Sequence, residues 1–211
     1  MVDELLDPLR AVRRAINRSL HSFRRRAAQR QLSGHVGAQS LLVVCQGNIC
    51  RSPFGAALLR ERLPTARVGS AGWLAPERRV PRAGVLAALR FGVDLSAHRS
   101  TVLNAGLVNQ ADLILVMDPL GARMIQERFG RWGRDVMVLG DLDPEVADAR
   151  VILDPINQPV EIFLKSYARI ARCIEPVVSA LRAPAAEWAL ERKRSLAPPE
   201  EDLVNPQGVL G

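Results

Sequence analysis

Apolar positions change their period along the chain, and the change divides it into an appendage, a domain and a tail. In the first stretch Leu9, Val12, Ile16, Leu20, Phe23 and Ala27 recur at helical intervals. At 100° per residue they fall within about an 80° arc, with Arg14, Arg18 and Arg25 opposite. Asp7 and Pro8 suit a cap and a first helical residue, so the spacing predicts an amphipathic helix with an arginine-rich back. Gln31 to Gln39, with Ser33, Gly34 and Gly37, reads as a linker, and residues 1–38 form one unit.

From Leu41 onward short apolar runs alternate with segments of helical period. Leu41 to Val44, Ala66 to Ser70, Leu113 to Met117 and Val136 to Leu139 read as strands. Helices are expected from Pro53 through Ala56, Ala57, Leu58 and Leu59, over Pro81 to Phe91, and over Pro159 to Leu181. The last carries Ile162, Phe163, Tyr167, Ile170 and Ile174 on one face. Strands that are apolar throughout are covered on both sides. The expected fold over residues 39–182 is therefore α/β, a doubly wound open parallel sheet of about four strands with helices on both faces, plus the N-terminal amphipathic helix. Residues 183–211 turn to Pro, Glu and small side chains and read as a loosely ordered tail.

Composition narrows the setting. With 211 residues, 48% hydrophobic and 24% charged, the chain has room for one such domain and its appendages. It holds no run of apolar residues long enough to span a bilayer and no export signal, so a cytoplasmic location is expected. Two of the 3 cysteines share one loop and do not resemble a disulfide framework. Three scattered histidines and no paired-cysteine motif predict neither metal nor cofactor.

Charge adds a second feature. Residues 1–31 hold eight Arg against Asp3, Glu4 and Asp7, whereas the remainder is nearly balanced, so the excess of +7 belongs mainly to the N-terminal helix. A nucleic-acid partner is not expected. The apolar stripe within residues 8–30 needs a cover: the chain's own domain, a second copy, or an anionic membrane that would hold the protein at its periphery.

The candidate chemistry lies between Val43 and Pro53. A strand ending at Cys45 and a helix near Pro53 leave a loop whose N–H groups converge with the helix dipole on one point, a site for a tetrahedral oxyanion. Cys45, among those amides and beside Arg51, is set to act as a thiolate nucleophile. The Arg51 fork can hold two phosphoryl oxygens. Gly47 permits close backbone approach, Asn48 tolerates a left-handed conformation, and Ser52 can hydrogen-bond the sulfur as it leaves phosphorus. Gln46 lies where the loop would meet a substrate, and Ile49 and Cys50 complete the ring of amides.

The stretch Cys45-Gln46-Gly47-Asn48-Ile49-Cys50-Arg51-Ser52-Pro53 resembles the loop of the low-molecular-weight protein tyrosine phosphatases, and is similar to it at every fixed position. The likeness continues through Ser70-Ala71-Gly72, His98-Arg99, Asp112 to Asp118, and Asp154-Pro155. It implies hydrolysis of phosphotyrosine in protein substrates through a phosphocysteine on Cys45, with an aspartic acid before a proline as proton donor. Asp154 is the expected donor by its spacing from Phe163 and Tyr167; Asp143-Pro144 is the alternative, and Asp118-Pro119 is a third such pair. The resemblance also implies a reversible Cys45–Cys50 disulfide, set against plain packing of Cys50 under the loop. Trp73 is either a wall of the substrate slot or a half-buried core residue. Ile156 and Asn157 stand where family members often carry aromatics. His98 and Asp112 read as structural, and Cys173 as core. Two other functions stay open: arsenate reduction on the same fold, which needs a cysteine relay absent between Cys50 and Cys173, and phospho-ligand binding without catalysis.

Overall fold

The computed structural model describes residues 2–131 and 133–182 and has the expected architecture. A long helix α1 (Val2–Ser33) precedes β1 (Ser40–Cys45), α2 (Arg51–Arg62), β2 (Arg67–Gly72) and α3 (Arg82–Leu89). There follow α4 (Ala105–Gln110), β3 (Leu113–Val116), α5 (Pro119–Phe129), β4 (Val136–Val138), a 3-10 turn (Leu139–Leu142) and α6 (Val160–Arg182). The four strands are parallel in the order β2-β1-β3-β4, with Cys45 opposite Gly72 at the end of the β1–β2 register. The tail expected from residue 183 lies outside the described residues.

The two faces of the sheet follow from alternation along β1 and β3. Leu41, Val43, Leu113 and Leu115 pack with Phe54, Leu59, Tyr167 and Ile170 of α2 and α6. Leu42, Val44, Ile114 and Val116 pack with Val108 and Ile125 of the α4–α5 side. Every residue of β3 is buried, which is why its sequence reads as one unbroken apolar run. Phe54 stacks on Tyr167 with ring centroids 4.0 Å apart, fixing α2 against α6. Cys173 is fully buried on α6, as its position in the apolar stripe suggests.

Several boundaries differ from the sequence expectation. Helix α1 begins ahead of the Asp7-Pro8 pair. Helix α2 begins at Arg51, so Pro53 is its third residue rather than its first; that position still lacks an intrahelical partner for N–H, and proline is tolerated there. Helices α4 and α5 were not expected. Both are locally capped: Asn104 Oδ1 accepts from Leu107 N at 3.0 Å, and Asp118 Oδ1 from Gly121 N at 2.7 Å. Gly130 closes α5 in the left-handed region at φ 66°.

Helix α1 also departs from expectation in the face it buries. His21, Ala28 and Leu32 are buried, whereas Val12, Ile16, Leu20 and Phe23 are 56%, 52%, 41% and 66% exposed. The chain's own domain, among the described residues, does not cover the stripe. Another face is held instead, by Ala28 and Leu32 in the main core and by polar contacts. Asn17 Nδ2 donates to Asp148 O at 3.0 Å, Arg18 pairs with the Asp148 carboxylate, and a His21 ring nitrogen lies 3.1 Å from Asp143 O. Near its C-terminal end Gln31 Nε2 donates to Arg134 O and Val136 O at 3.0 and 3.1 Å, along the outer side of β4. Contacts with residues 143–148 early in the helix and 134–136 late in it make α1 antiparallel to β4.

Candidate active site

Cys45 closes β1 and Arg51 opens α2, so the five intervening residues curl within one strand-to-helix turn. No side chain caps the first turn of α2, leaving its N–H groups directed into that loop. Asn48 sits at its centre with φ 51°, a left-handed conformation that asparagine tolerates better than most residues. It is completely buried and fully used: Nδ2 donates to Ser52 Oγ and Ser70 Oγ at 2.9 Å each, and Oδ1 accepts from Thr101 N at 2.8 Å. Close approach of β2 is also required, since a Cβ on Gly72 would lie 2.7 Å from Asn48 N.

The surroundings of the Cys45 thiol follow from that network. Ser52 Oγ is 3.0 Å from Cys45 Sγ. Asn48 Nδ2 takes one lone pair of the Ser52 oxygen, and the hydroxyl proton has the sulfur or Ala71 O at 3.4 Å as acceptor; turned to the sulfur, it suits a thiolate. Arg51 is 4% exposed. Its Nη1 donates to Ile152 O at 3.0 Å and its Nη2 pairs with Asp154, while its Nε is buried with no acceptor among the described residues. An orphaned guanidinium N–H beside the thiol is the hydrogen-bonding deficit that an oxyanion would fill.

The three Asp-Pro pairs separate cleanly in space. Asp118 caps α5. Asp143, 1% exposed, is held by Arg169 at 2.9 Å and Arg172 at 3.3 Å in a buried ion cluster. Asp154 alone reaches Arg51; its carboxylate is 35% exposed and also accepts from Ile156 N at 3.2 Å.

Other candidates take less direct places. Cys50 is buried, and burial first, then Asp154 and Cys45, pushes its thiol up to about 12. It remains protonated at neutral pH. Its carbonyl accepts from Tyr167 Oη at 3.2 Å, tying the loop to α6. Ile49 is buried beneath the loop, and Gln46 is exposed at its rim. The Trp73 ring stacks with Phe129 at 6.3 Å under the Arg128 guanidinium, the half-buried packing arrangement; the main-chain N–H of Trp73 donates to Gln46 O at 2.8 Å. His98 Nε2 faces Asn48 O at 2.8 Å and must carry the proton there. Burial, with Arg60 and Arg99 nearby, lowers its pKa against that bond. Asp112 Oδ2 accepts from Gln39 N and Ser40 N at 2.8 and 2.9 Å and pins the start of β1.

One residue at the site was not singled out by the sequence. Arg78 Nη1 lies 3.3 Å from where a Cβ on Gly47 would stand, at the mouth of the loop. Its backbone is clamped, with N accepted by Ser100 Oγ and O accepting from Ser100 N, each at 2.9 Å. The preceding Glu77 is held at φ 60°. Among the described residues no acceptor meets its guanidinium. The only local hint was a run of charges; the partner residue is 31 positions away.

Comparison with known proteins agrees with this geometry. Residues 40–188 match the family model of the low molecular weight phosphotyrosine protein phosphatases. A probable low molecular weight protein-tyrosine-phosphatase, EpsP of Ralstonia solanacearum, is 40% identical over 147 residues, 69% of this chain and 97% of that protein. The crystal structure of the Erwinia amylovora tyrosine phosphatase AmsI is 31% identical with a TM-score of 0.63, covering 69% of this chain and 95% of that one. The YwlE arginine phosphatase of Geobacillus stearothermophilus is 26% identical with a TM-score of 0.60, over 74% and 96% of the two chains. The chain belongs to the low-molecular-weight phosphotyrosine protein phosphatase family.

Proposed function

We propose that the protein hydrolyses phosphotyrosine in protein substrates through a phosphocysteine on Cys45. The observation that carries this reading is the buried Nε of Arg51, unpartnered among the described residues, at the start of the helix that follows the Cys45 loop. The phosphoryl group binds in the N–H ring of residues 46–51 and takes the Arg51 fork. The Cys45 thiolate attacks phosphorus, the P–O bond breaks, and protonated Asp154 donates to the departing phenolate. Water then attacks phosphorus while the Asp154 carboxylate accepts its proton. The P–S bond breaks, and Ser52 receives the sulfur electron pair by hydrogen bond. Residues 39–182 supply all of these groups and are the proposed catalytic unit.

Substrate contacts are assigned to the main-chain N–H groups of Gln46, Gly47, Asn48, Ile49, Cys50 and Ser52 in the loop. Trp73 acts on the slot through its main-chain hold on Gln46. Arg78, at the loop mouth, is proposed to meet an acidic side chain next to the phosphotyrosine. Cys50 is proposed as redox partner: a sulfenic acid on Cys45 condenses with the Cys50 thiol, forming the disulfide and releasing water. Chemistry that depends on a free thiolate favours a reducing compartment, hence a cytoplasmic setting. Residues 8–30 are further proposed as a contact surface, for a second copy or an anionic membrane, because Val12, Ile16, Leu20 and Phe23 face solvent.

Arsenate reduction is disfavoured because Cys173, the remaining thiol, is fully buried and raised to about 12 by burial, so it offers no outward relay. The test is turnover of matched peptides bearing phosphotyrosine, phosphoserine or phosphoarginine. Preference for phosphotyrosine is expected, with Arg78→Met raising KM for acidic peptides several-fold and leaving kcat unchanged. Preference for phosphoarginine would overturn the substrate assignment while keeping the mechanism. No turnover of any of them would favour a binding module.

A further inference from the structure

We propose that α1 is a membrane-surface anchor that lays Val12, Ile16, Leu20 and Phe23 into a bilayer carrying anionic lipid, with arginines of the same helix at the headgroups. Three observations on α1 converge. First, the helix is already seated on the protein by another face. Asn17, His21, Ala28 and Leu32 project about 130° around the axis from the centre of the exposed stripe. Seating the helix therefore holds the stripe outward rather than covering it. Second, the stripe runs from Val12 to Phe23, about 17 Å or three turns, which is the footprint of a helix lying in an interface rather than crossing it. Among the described residues no helix is long and apolar enough to span a membrane.

Third, charge distinguishes a lipid surface from a second copy. Residues 11–31 contain Arg13, Arg14, Arg18, Arg24, Arg25, Arg26 and Arg30 and no Asp or Glu. Arg13 and Arg24 flank the stripe on one side and Arg26 and Arg30 on the other. Pairing the stripe with itself would bring arginine against arginine in either orientation. An anionic surface accepts both flanks, and arginine stems add apolar cover while the heads stay in water. The segment that α1 touches, Asp143 and Asp148, belongs to the loop leading into Asp154. A helix lying on the membrane would thus hold the catalytic edge of the sheet near that surface.

The test uses the full chain with sedimented vesicles of phosphatidylcholine and phosphatidylglycerol, or of phosphatidylcholine alone. Binding to the anionic vesicles only, weakened by salt, is expected. Each arginine at an anionic surface contributes about a fivefold factor, so Arg26→Gln with Arg30→Gln should weaken binding about 25-fold. Ile16→Asp with Phe23→Asp should weaken it by about 100-fold or more. Both double variants should keep the parent turnover of a small aryl phosphate, which shows that the domain is folded. Equal binding to both vesicle types would overturn the proposal, because the arginines would then have no part. So would a dimer in solution that the Ile16/Phe23 variant abolishes, since a second copy would be the cover. A monomer that binds neither vesicle would also overturn it, with residues beyond 182 or nothing at all over the stripe.

Discussion

The active-site loop and helix α1 are held to the same domain in opposite ways. Around Asn48, every polar atom of one buried side chain is used, and its partners come from α2, β2 and the segment near Thr101. Helix α1 is attached through one face, by a few polar groups and by Ala28 and Leu32 in the main core, while its longer apolar stripe stays open to solvent. The loop is over-determined and holds one geometry. The helix is fastened and still has binding capacity. The contrast teaches that a docked face need not be the most apolar one: Val12, Ile16, Leu20 and Phe23 stay outside while polar groups, with Ala28 and Leu32 in the core, seat the helix.

The largest expected effects lie at the loop. Cys45→Ser should lower turnover by about 10⁴-fold or more, because an alcohol is a poor nucleophile at neutral pH, while calorimetry should still detect phosphate binding. Arg51→Lys should cost about 10²–10³-fold in kcat, since a point charge cannot supply both Nε and Nη donors. Appreciable turnover by Cys45→Ser would remove the covalent mechanism.

Next come the two aspartates that sequence could not separate by local pattern. Asp154→Asn should slow poor leaving groups far more than nitrophenolate, and should cost less stability than Asp143→Asn because the Asp154 carboxylate is 35% exposed whereas that of Asp143 is 1% exposed. Asp143→Asn should leave the leaving-group dependence unchanged. It leaves Arg169 and Arg172 facing a neutral amide in a buried site, at a cost of about 3 kcal/mol in denaturant unfolding. Leaving-group dependence at Asp143 would mean that the proton donor has been misassigned.

Oxidation tests the loop's rigidity rather than its chemistry. Mild peroxide should inactivate the wild type reversibly with thiol reductant, and Cys50→Ala should recover poorly. Because the Cys50 thiol is pushed up to about 12, disulfide closure at pH 7–9 should accelerate as pH rises. Equal recovery of both proteins would leave Cys50 as packing alone.

The smallest effect concerns His98. Its folded-state pKa is lowered below 6.5, so the unfolded chain takes up the proton first. The stability tied to neutral His98 is therefore present above pH 6.5 and declines as pH falls below it. In His98→Gln this acid-side decline should flatten by about 1 kcal/mol or less, read from urea midpoints at pH 5 and 7.

Legibility in the sequence followed contact range. The loop from Cys45 to Pro53 could be read because its chemistry is packed into nine consecutive residues, and the strands because each is one apolar run. Helix α5 was marked by Asp118-Pro119 and Gly130, yet only Ile125 on it is buried, so its apolar period was too faint to detect. The face by which α1 docks was hidden for a different reason. Its periodicity correctly gave a helix, but the contacts that choose its orientation reach partners more than 100 positions away, from Asn17 to Asp148 and from Gln31 to Val136. Arg78 was missed likewise, as nothing local brings it to Gly47.

The grip of Gln31 on the outer carbonyls of β4 has a further consequence. Strand β4 ends the sheet, and an end strand offers free carbonyl and N–H groups on which another chain can build. Helix α1 lies along that border, and the Gln31 amide occupies Val136 O of β4 and Arg134 O just ahead of it. On the other border the Arg60 guanidinium takes Val68 O at 2.8 Å. On each rim a polar side chain thus occupies a carbonyl that an added strand would need. Cutting the chain at Ser33 would remove one of these guards, and the shortened domain would have a template for cross-chain strand addition and aggregation.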